Sequence, residues 1–401
     1  MPNKHSMRFN DGQNRSPLDR WIPRLLSLWR GNTDSRLPPD RCTREELREL
    51  TNSIRELTRG LGAARSFAGS DYMNDRRLLG AYLLYFWPVS YAQASWCLQQ
   101  AGFSRNHHPR QALDVGCGPG PATAALLDCG AKAVTAIDHA GSALSMLRSL
   151  AGQSGPVTTL RGDIERDISV LRDRTFDCII IGHALNELWA SHSDKIQRRT
   201  GLIASLTRRL TPGGALVLFE PAAHATSRDV LAVRDALLHA GLVISAPCTM
   251  SAPCPALLEP SGMCHAAVSW SSPPMLQEIS RAAGPHRDAL KMSYLIVRPG
   301  NHHTPPSRSG RGMDTALPAM TNQPAYRVVS DTLVNKAGRL RMIICGPKGR
   351  FSLSADPRDT HPALHAMRSL HRGQAIMIDN PEPRGDGWAI GQKTTIATVP
   401  M

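Results

Sequence analysis

The run ALDVGCGPGPATAALL, residues 112–127, constrains this chain more than any other stretch. A short apolar strand leads into three alternating glycines, Gly116, Gly118 and Gly120, and an apolar helix follows at once. Glycines in that place let the backbone turn tightly and come close to a ligand without Cβ clashes. Further apolar runs, AKAVTAID, FDCIIIG and GALVLFE, follow with helical segments between them. Such alternation predicts βαβ units on a parallel sheet, an α/β Rossmann-like fold. A last run, KMSYLIVRPG, is expected to close the sheet.

The loop is not the dinucleotide fingerprint, because Pro121 stands where G-x-G-x-x-G needs glycine. Asp114 precedes the loop, a position suited to holding an ammonium group nearby. Asp138 ends the second strand, where a carboxylate can accept from ribose hydroxyls. Asp163 follows the third strand-like run and suits the edge of an adenine ring. With the Pro-Gly-Gly turn at 212–214, these features resemble the class I S-adenosylmethionine-dependent methyltransferases over about residues 111–297. After the fourth strand, where a methyl acceptor would sit, the chain reads GHALNELW. His183 is a candidate base and Asn186 a candidate for orienting a substrate, or both belong to the pocket wall and the next helix cap. The Pro-Cys pairs lie too late in the chain to serve as a cytosine C5 nucleophile.

Three domains and a linker are expected: a basic helical segment 1–110, the sheet domain 111–297 with a cysteine-rich segment 245–265, a Pro/Gly/Ser/Thr-rich linker 298–325, and a small β-rich basic domain 326–401. In the first, Thr43 to Glu46 forms a capping box and Gly60 is the expected helix stop; Pro88 should kink or divide the apolar helix that contains it. Charge is uneven. Residues 1–110 hold 17 Lys and Arg against 10 acids, residues 111–270 hold 13 against 14, and residues 271–401 hold 17 against 9. A near-neutral centre between basic flanks suggests polyanion binding, with RNA the expected partner. No apolar run reaches membrane-spanning length, and the first residues lack the apolar core of a secretory signal. A reducing compartment is therefore expected, the bacterial cytoplasm or alternatively the mitochondrial matrix, with the protein a monomer away from membranes.

Nine cysteines in such a compartment argue against a disulfide framework. Cys248 and Cys254 sit in a repeated Ser-Ala-Pro-Cys, Cys264 precedes His265, and Cys345 ends a strand-like run before a turn. Proline, glycine or a turn borders each of the four. Four thiolates suit tetrahedral zinc or an iron–sulfur cluster, and wide, irregular spacing leans toward a [4Fe–4S] cube. His265 is expected beside the ligands rather than among them.

Together LLGAYLLYFWPVSYA, DVGCGPG, GHALNEL, LFEP, APC…APCP…CH, KMSYLIV and RVV…CGPKG resemble the methyltransferase-like assembly factors of the mitochondrial small ribosomal subunit and their bacterial relatives. The resemblance covers most of residues 70–350 and departs from the family's pattern after about 355, where its Trp-Gly-Asp-like ending appears only as RGDGW. It implies S-adenosylmethionine, a [4Fe–4S] cluster on Cys248, Cys254, Cys264 and Cys345, and small-subunit rRNA as partner. The expected function is a cofactor-loaded, cluster-containing factor of small-subunit assembly or translation. The alternatives are an active rRNA methyltransferase and a small-molecule methyltransferase with structural zinc.

Overall fold

The computed structural model describes residues 16–31, 37–61, 74–152, 155–284, 288–300 and 325–399. Most of the expected linker, 301–324, lies outside the described residues. The chain falls into two compact units. One runs through Glu220 and takes up Ser269–Leu290; the other holds Pro221–Val268 and the chain from Lys291 onward.

The first unit opens with helices α1 (Ile22–Arg30), α2 (Arg44–Leu61), α3 (Arg76–Ala81) and α4 (Trp87–Gln100). Thr43 and Glu46 cap α2 reciprocally. The Glu46 N–H donates to Thr43 Oγ1 at 3.2 Å, and the Thr43 N–H donates to Glu46 Oε2 at 2.8 Å. Helix α2 ends at Leu61, one residue past Gly60, the expected stop. Pro88 does not divide its helix: the backbone stays helical from Arg76 to Gln100, a π turn over Tyr82–Phe86 widens it just before the proline, and α4 carries Pro88 in its first turn.

Five strands then alternate with helices: β1 (Gln111–Val115), α5 (Pro121–Cys129), β2 (Ala133–Asp138), α6 (Gly141–Ala151), β3 (Val157–Arg161), β4 (Phe176–Gly182), α7 (Lys195–Thr207) and β5 (Leu210–Pro221). They pair in parallel in the order β3-β2-β1-β4-β5. Chain order reverses between β1 and β4, and the crevice at such a reversal is where open α/β sheets bind ligands. Ile179, Ile180 and Ile181 of β4 are fully buried, as strands covered on both faces must be. The result is an open, parallel α/β sheet of the Rossmann-like kind.

The second unit starts with α8 (His224–His239) and β6 (Val243–Ala246), and continues with β7 (Ala266–Ser269). Helix α9 (Pro274–Ala283) belongs to the first unit. Strand β8 (Ala289–Arg298) then pairs antiparallel with β6. The remainder is β9 (Ala325–Val328), β10 (Leu333–Val334), β11 (Leu340–Gly346), β12 (Gly349–Ala355), α10 (Pro362–Ser369), β13 (Ala375–Asp379), β14 (Glu382–Arg384), β15 (Gly387–Ala389) and β16 (Thr395–Val399). These form a second sheet in the order β14-β15-β12-β11-β9-β13-β16, with β10 on β11. Tyr326, Met342, Ile344, Leu353, Leu364 and Ile376 make its core.

One carboxylate joins the helical layer to the sheet layer within the first unit. Asp128, in α5, accepts from Trp21 Nε1 at 2.8 Å and from the Tyr91 hydroxyl at 2.5 Å, and it pairs with Arg20. Trp87 stacks on Tyr91 with centroids 5.8 Å apart, and Trp21 tilts against Trp87. Asp128→Ala strands a buried phenol and an indole N–H. It should destabilise the protein by roughly 2–4 kcal/mol, read as a lower midpoint in denaturant unfolding.

Candidate functional site

The glycine loop leaves β1 at Val115 and enters α5 at Pro121. Gly116, Gly118 and Gly120 have φ of 66°, 50° and 82°, the left-handed region that favours glycine. At Gly116 a Cβ would also lie 2.5 Å from the Ala184 Cβ. The β2-end carboxylate fixes the loop: Asp138 accepts from the Gly118 N–H and, through its other oxygen, from the Ala140 N–H, both at 2.8 Å. A carboxylate has about four acceptor sites, so two such bonds leave capacity for a ligand hydroxyl. Asp114 is buried beneath the loop and accepts from the Thr123 hydroxyl at 2.6 Å. Burial, with Asp138 nearby, pushes its carboxyl up to about 7. Asp163 is exposed in the turn after β3 and pairs with Arg166 at 3.1 Å.

At the end of β4, His183 takes a φ of 59°, uncommon for a residue with a side chain. Its Nε2 lies 2.7 Å from Gln93 Oε1 of α4, and its ring meets Phe219 edge-on with centroids 5.0 Å apart. Asn186 turns inward: its Nδ2 donates to Glu220 Oε2 at 2.6 Å and to the His183 carbonyl at 2.9 Å. Its backbone N–H donates to Glu220 Oε1 at 3.1 Å. The buried Arg199 donates to the Asn186 and Leu188 carbonyls and so holds the same turn from below.

Glu220 and Gln93 were not singled out from sequence. Glu220 carried a signal, a carboxylate closing the otherwise apolar run GALVLFE, since a buried acid must be paired or neutral. Gln93 carried none, since it is one polar residue in a helix nearly all of whose neighbours are buried.

The second unit gathers Cys248, Cys254, Cys264 and Cys345 around one cavity, also lined by Arg234, Arg327 and Arg350. No three His, Cys, Asp or Glu side chains among the described residues converge as ligands of one metal ion would. All nine cysteines are free thiols. Burial, together with the neighbouring sulfurs, pushes Cys264 and Cys345 up to about 12, with Arg350 acting the other way. His265 flanks an adjoining pocket. Burial, then Arg372 and Lys291, pushes its imidazole down to about 4.

Two arginines of α8 hold the irregular cysteine segment by its carbonyls. Arg228 donates to Glu259 at 2.7 Å, Gly262 at 3.0 Å, and Ala256 and Leu257 at 3.3 Å. Arg234, its side chain wholly buried, donates to Met250 and Ala252 at 2.5 Å and to Asp235 at 2.6 Å. Asp235 in turn accepts from the Cys254 N–H at 2.9 Å. Near the third cysteine, Ser293 donates to the Cys264 carbonyl at 2.8 Å and Arg350 to Met263 at 3.4 Å.

Residues 77–371 match the family model of the mitochondrial small ribosomal subunit protein Rsm22. The chain belongs to that family. The glycine loop, the GHALNEL turn and all four cysteines of the cavity fall inside the matched span. A cypemycin N-terminal methyltransferase of a Streptomyces species is 34% identical over 116 residues, 28% of this chain and 44% of that protein. The match thus spans less than half of that relative's length. Among solved structures, the N-methyltransferase NodS of Bradyrhizobium japonicum is 15% identical with a TM-score of 0.34, covering 62% of this chain and 98% of its own. TrmN of Thermus thermophilus is 16% identical with a TM-score of 0.33, covering 54% and 53%. Likenesses of that size carry no argument about chemistry.

The buried Glu220 gives this Rsm22-family protein a measurable pH signature. Burial is the main cause that pushes its carboxyl up to about 8 from 4.5, and the Asn186 bonds act against it. The stability that a buried neutral acid contributes is complete below about pH 4.5 and is lost as pH rises through about 8. Glu220→Gln cannot ionise. Its unfolding free energy should therefore gain on wild type by roughly 2–4 kcal/mol between pH 5 and pH 8, read by denaturant titration at each pH.

Proposed function

We propose that this protein binds S-adenosylmethionine and an iron–sulfur cluster and acts on the small ribosomal subunit through rRNA, as a methyltransferase-like factor of assembly or translation. The observation that carries the reading is the pairing, inside one family span, of an Asp138-pinned glycine loop with four thiols on a single cavity. The loop suits the cofactor because Gly116 and Gly118 are half-exposed where any side chain would fill the cradle. Asp138 would hold the ribose, Asp114 would steady the loop beneath the amino-acid end, and Asp163 would sit at the adenine edge. When bound, the sulfonium supplies an electrophilic methyl group.

The wide, irregular spacing of the four cysteines along the chain favours a polynuclear cluster over a single zinc. One zinc requires sulfurs about 2.3 Å from a common point, whereas a cube offers a separate iron to each thiolate. Cys248, Cys254, Cys264 and Cys345 would be its ligands. Arg234 and Arg350 would balance the negative charge of the assembled centre, which the buried thiols alone cannot carry. Bound there, the cluster would cross-link the segment after β6 to β11.

A second reading, an active RNA methyltransferase, is favoured by one observation: His183 holds a left-handed backbone beside the glycine loop, and such strain clusters at functional sites. In it His183, oriented by Gln93, would take the acceptor's proton, while Asn186 shapes the turn.

Anaerobically purified protein should contain about four irons and four sulfides per chain and show a broad visible band. Cys254→Ser should lose both, and one zinc with no colour would overturn the cluster reading. Binding to small-subunit RNA should weaken steeply as salt rises, with a log–log slope of several phosphate contacts. His183→Ala leaves that binding intact under the first reading and abolishes methyl transfer under the second.

A further inference from the structure

We propose that the Tyr82 hydroxyl, carried on the π turn between α3 and α4, binds the amino-acid end of S-adenosylmethionine, so that the helical layer forms one wall of the cofactor site. The proposal rests on the cofactor reading above and adds to it a residue outside the sheet domain.

The turn over Tyr82–Phe86 is a π turn, a local widening that recurs at functional sites. Leu83, Leu84 and Tyr85 are buried, whereas Tyr82 remains half-buried. At the next residue after the turn, the buried Trp87 indole N–H donates to the Pro119 carbonyl at 3.2 Å and so fastens the turn to the glycine loop. The Tyr82 hydroxyl then lies 3.7 Å from the position a Cβ on Gly118 would take. Gly118 is itself half-exposed, with φ of 50°, and its N–H is committed to Asp138. Two features therefore bring a phenol close to the loop at Gly118: the widened turn and the indole bond.

The chemistry of the loop says which part of the ligand this phenol serves. Asp114 and Asp138 are both acceptors, suited to an ammonium group and to ribose hydroxyls. The carboxylate of the methionine moiety needs a donor instead, and a phenolic O–H is a donor that adds no charge. Asp138 marks the ribose side of Gly118, and Tyr82 approaches the loop from the helical layer, where α4 also delivers Gln93 to His183. The amino-acid end is thus the part that meets the hydroxyl.

The test is calorimetric titration of the full chain with two ligands, S-adenosylhomocysteine and 5′-methylthioadenosine, which lacks the amino-acid portion. Tyr82→Phe should weaken S-adenosylhomocysteine about tenfold or more, the loss of one hydrogen bond to a charged group, and leave methylthioadenosine unchanged. Unchanged methylthioadenosine binding also shows that the variant keeps its pocket. Equal weakening of both ligands would mean that Tyr82 merely shapes the loop, and no change in either would mean that it makes no contact; each overturns the proposal. If wild type binds neither ligand, the cofactor reading itself fails and this inference falls with it.

Discussion

The Asp138 carboxylate, accepting from the Gly118 and Ala140 N–H groups, is the contact on which the rest of the first unit's site depends. A loop of left-handed glycines has many conformations available when unfolded and no side chains to restrict it. Two charge-assisted bonds from the neighbouring strand end select one of them. With the loop fixed, Ala184 packs against Gly116, the turn after β4 settles, and the helical layer can rest its indole on Pro119. Each later contact presupposes the loop's shape.

Elsewhere the chain handles buried charge by turning it toward irregular backbone. Arg199, Arg228 and Arg234 all donate to loop carbonyls, at the turn after β4 and along the cysteine segment. Loops that leave a sheet carry unpaired carbonyls, and a guanidinium with five donors satisfies several at once. The cysteine segment contains little regular structure between β6 and β7 beyond a short 3-10 turn at Pro255–Leu257. Its form therefore depends on α8 beneath it. The four thiols sit at the end of that support, with Arg234, Arg327 and Arg350 in the same wall.

The elements most legible in advance were those with local causes. Alternating apolar runs and glycine turns announced β1, β2, β4 and β5, and Thr43 with Glu46 announced the start of α2. Gly60 announced its end to within one residue. The polar contacts were harder to foresee. Asn186 reads as a residue that orients a substrate, lines the pocket or caps the next helix, and its amide is committed to Glu220, 34 residues later and on another strand. Nothing local distinguishes a side chain that points into solvent from one that turns under its own loop. Gln93 reaches His183 across 90 residues for the same reason.

By itself the sequence determined the parallel strands, the glycine loop and the four proline- or turn-flanked cysteines, because backbone geometry and apolar periodicity act over a few residues. Only the tertiary structure decided which side chains meet: Tyr82 at Gly118, Gln93 at His183, Asn186 at Glu220, and Cys345 with three cysteines more than 80 positions earlier in the chain. Those meetings follow from how layers pack, and packing is settled by the summed burial of many side chains rather than by any one stretch.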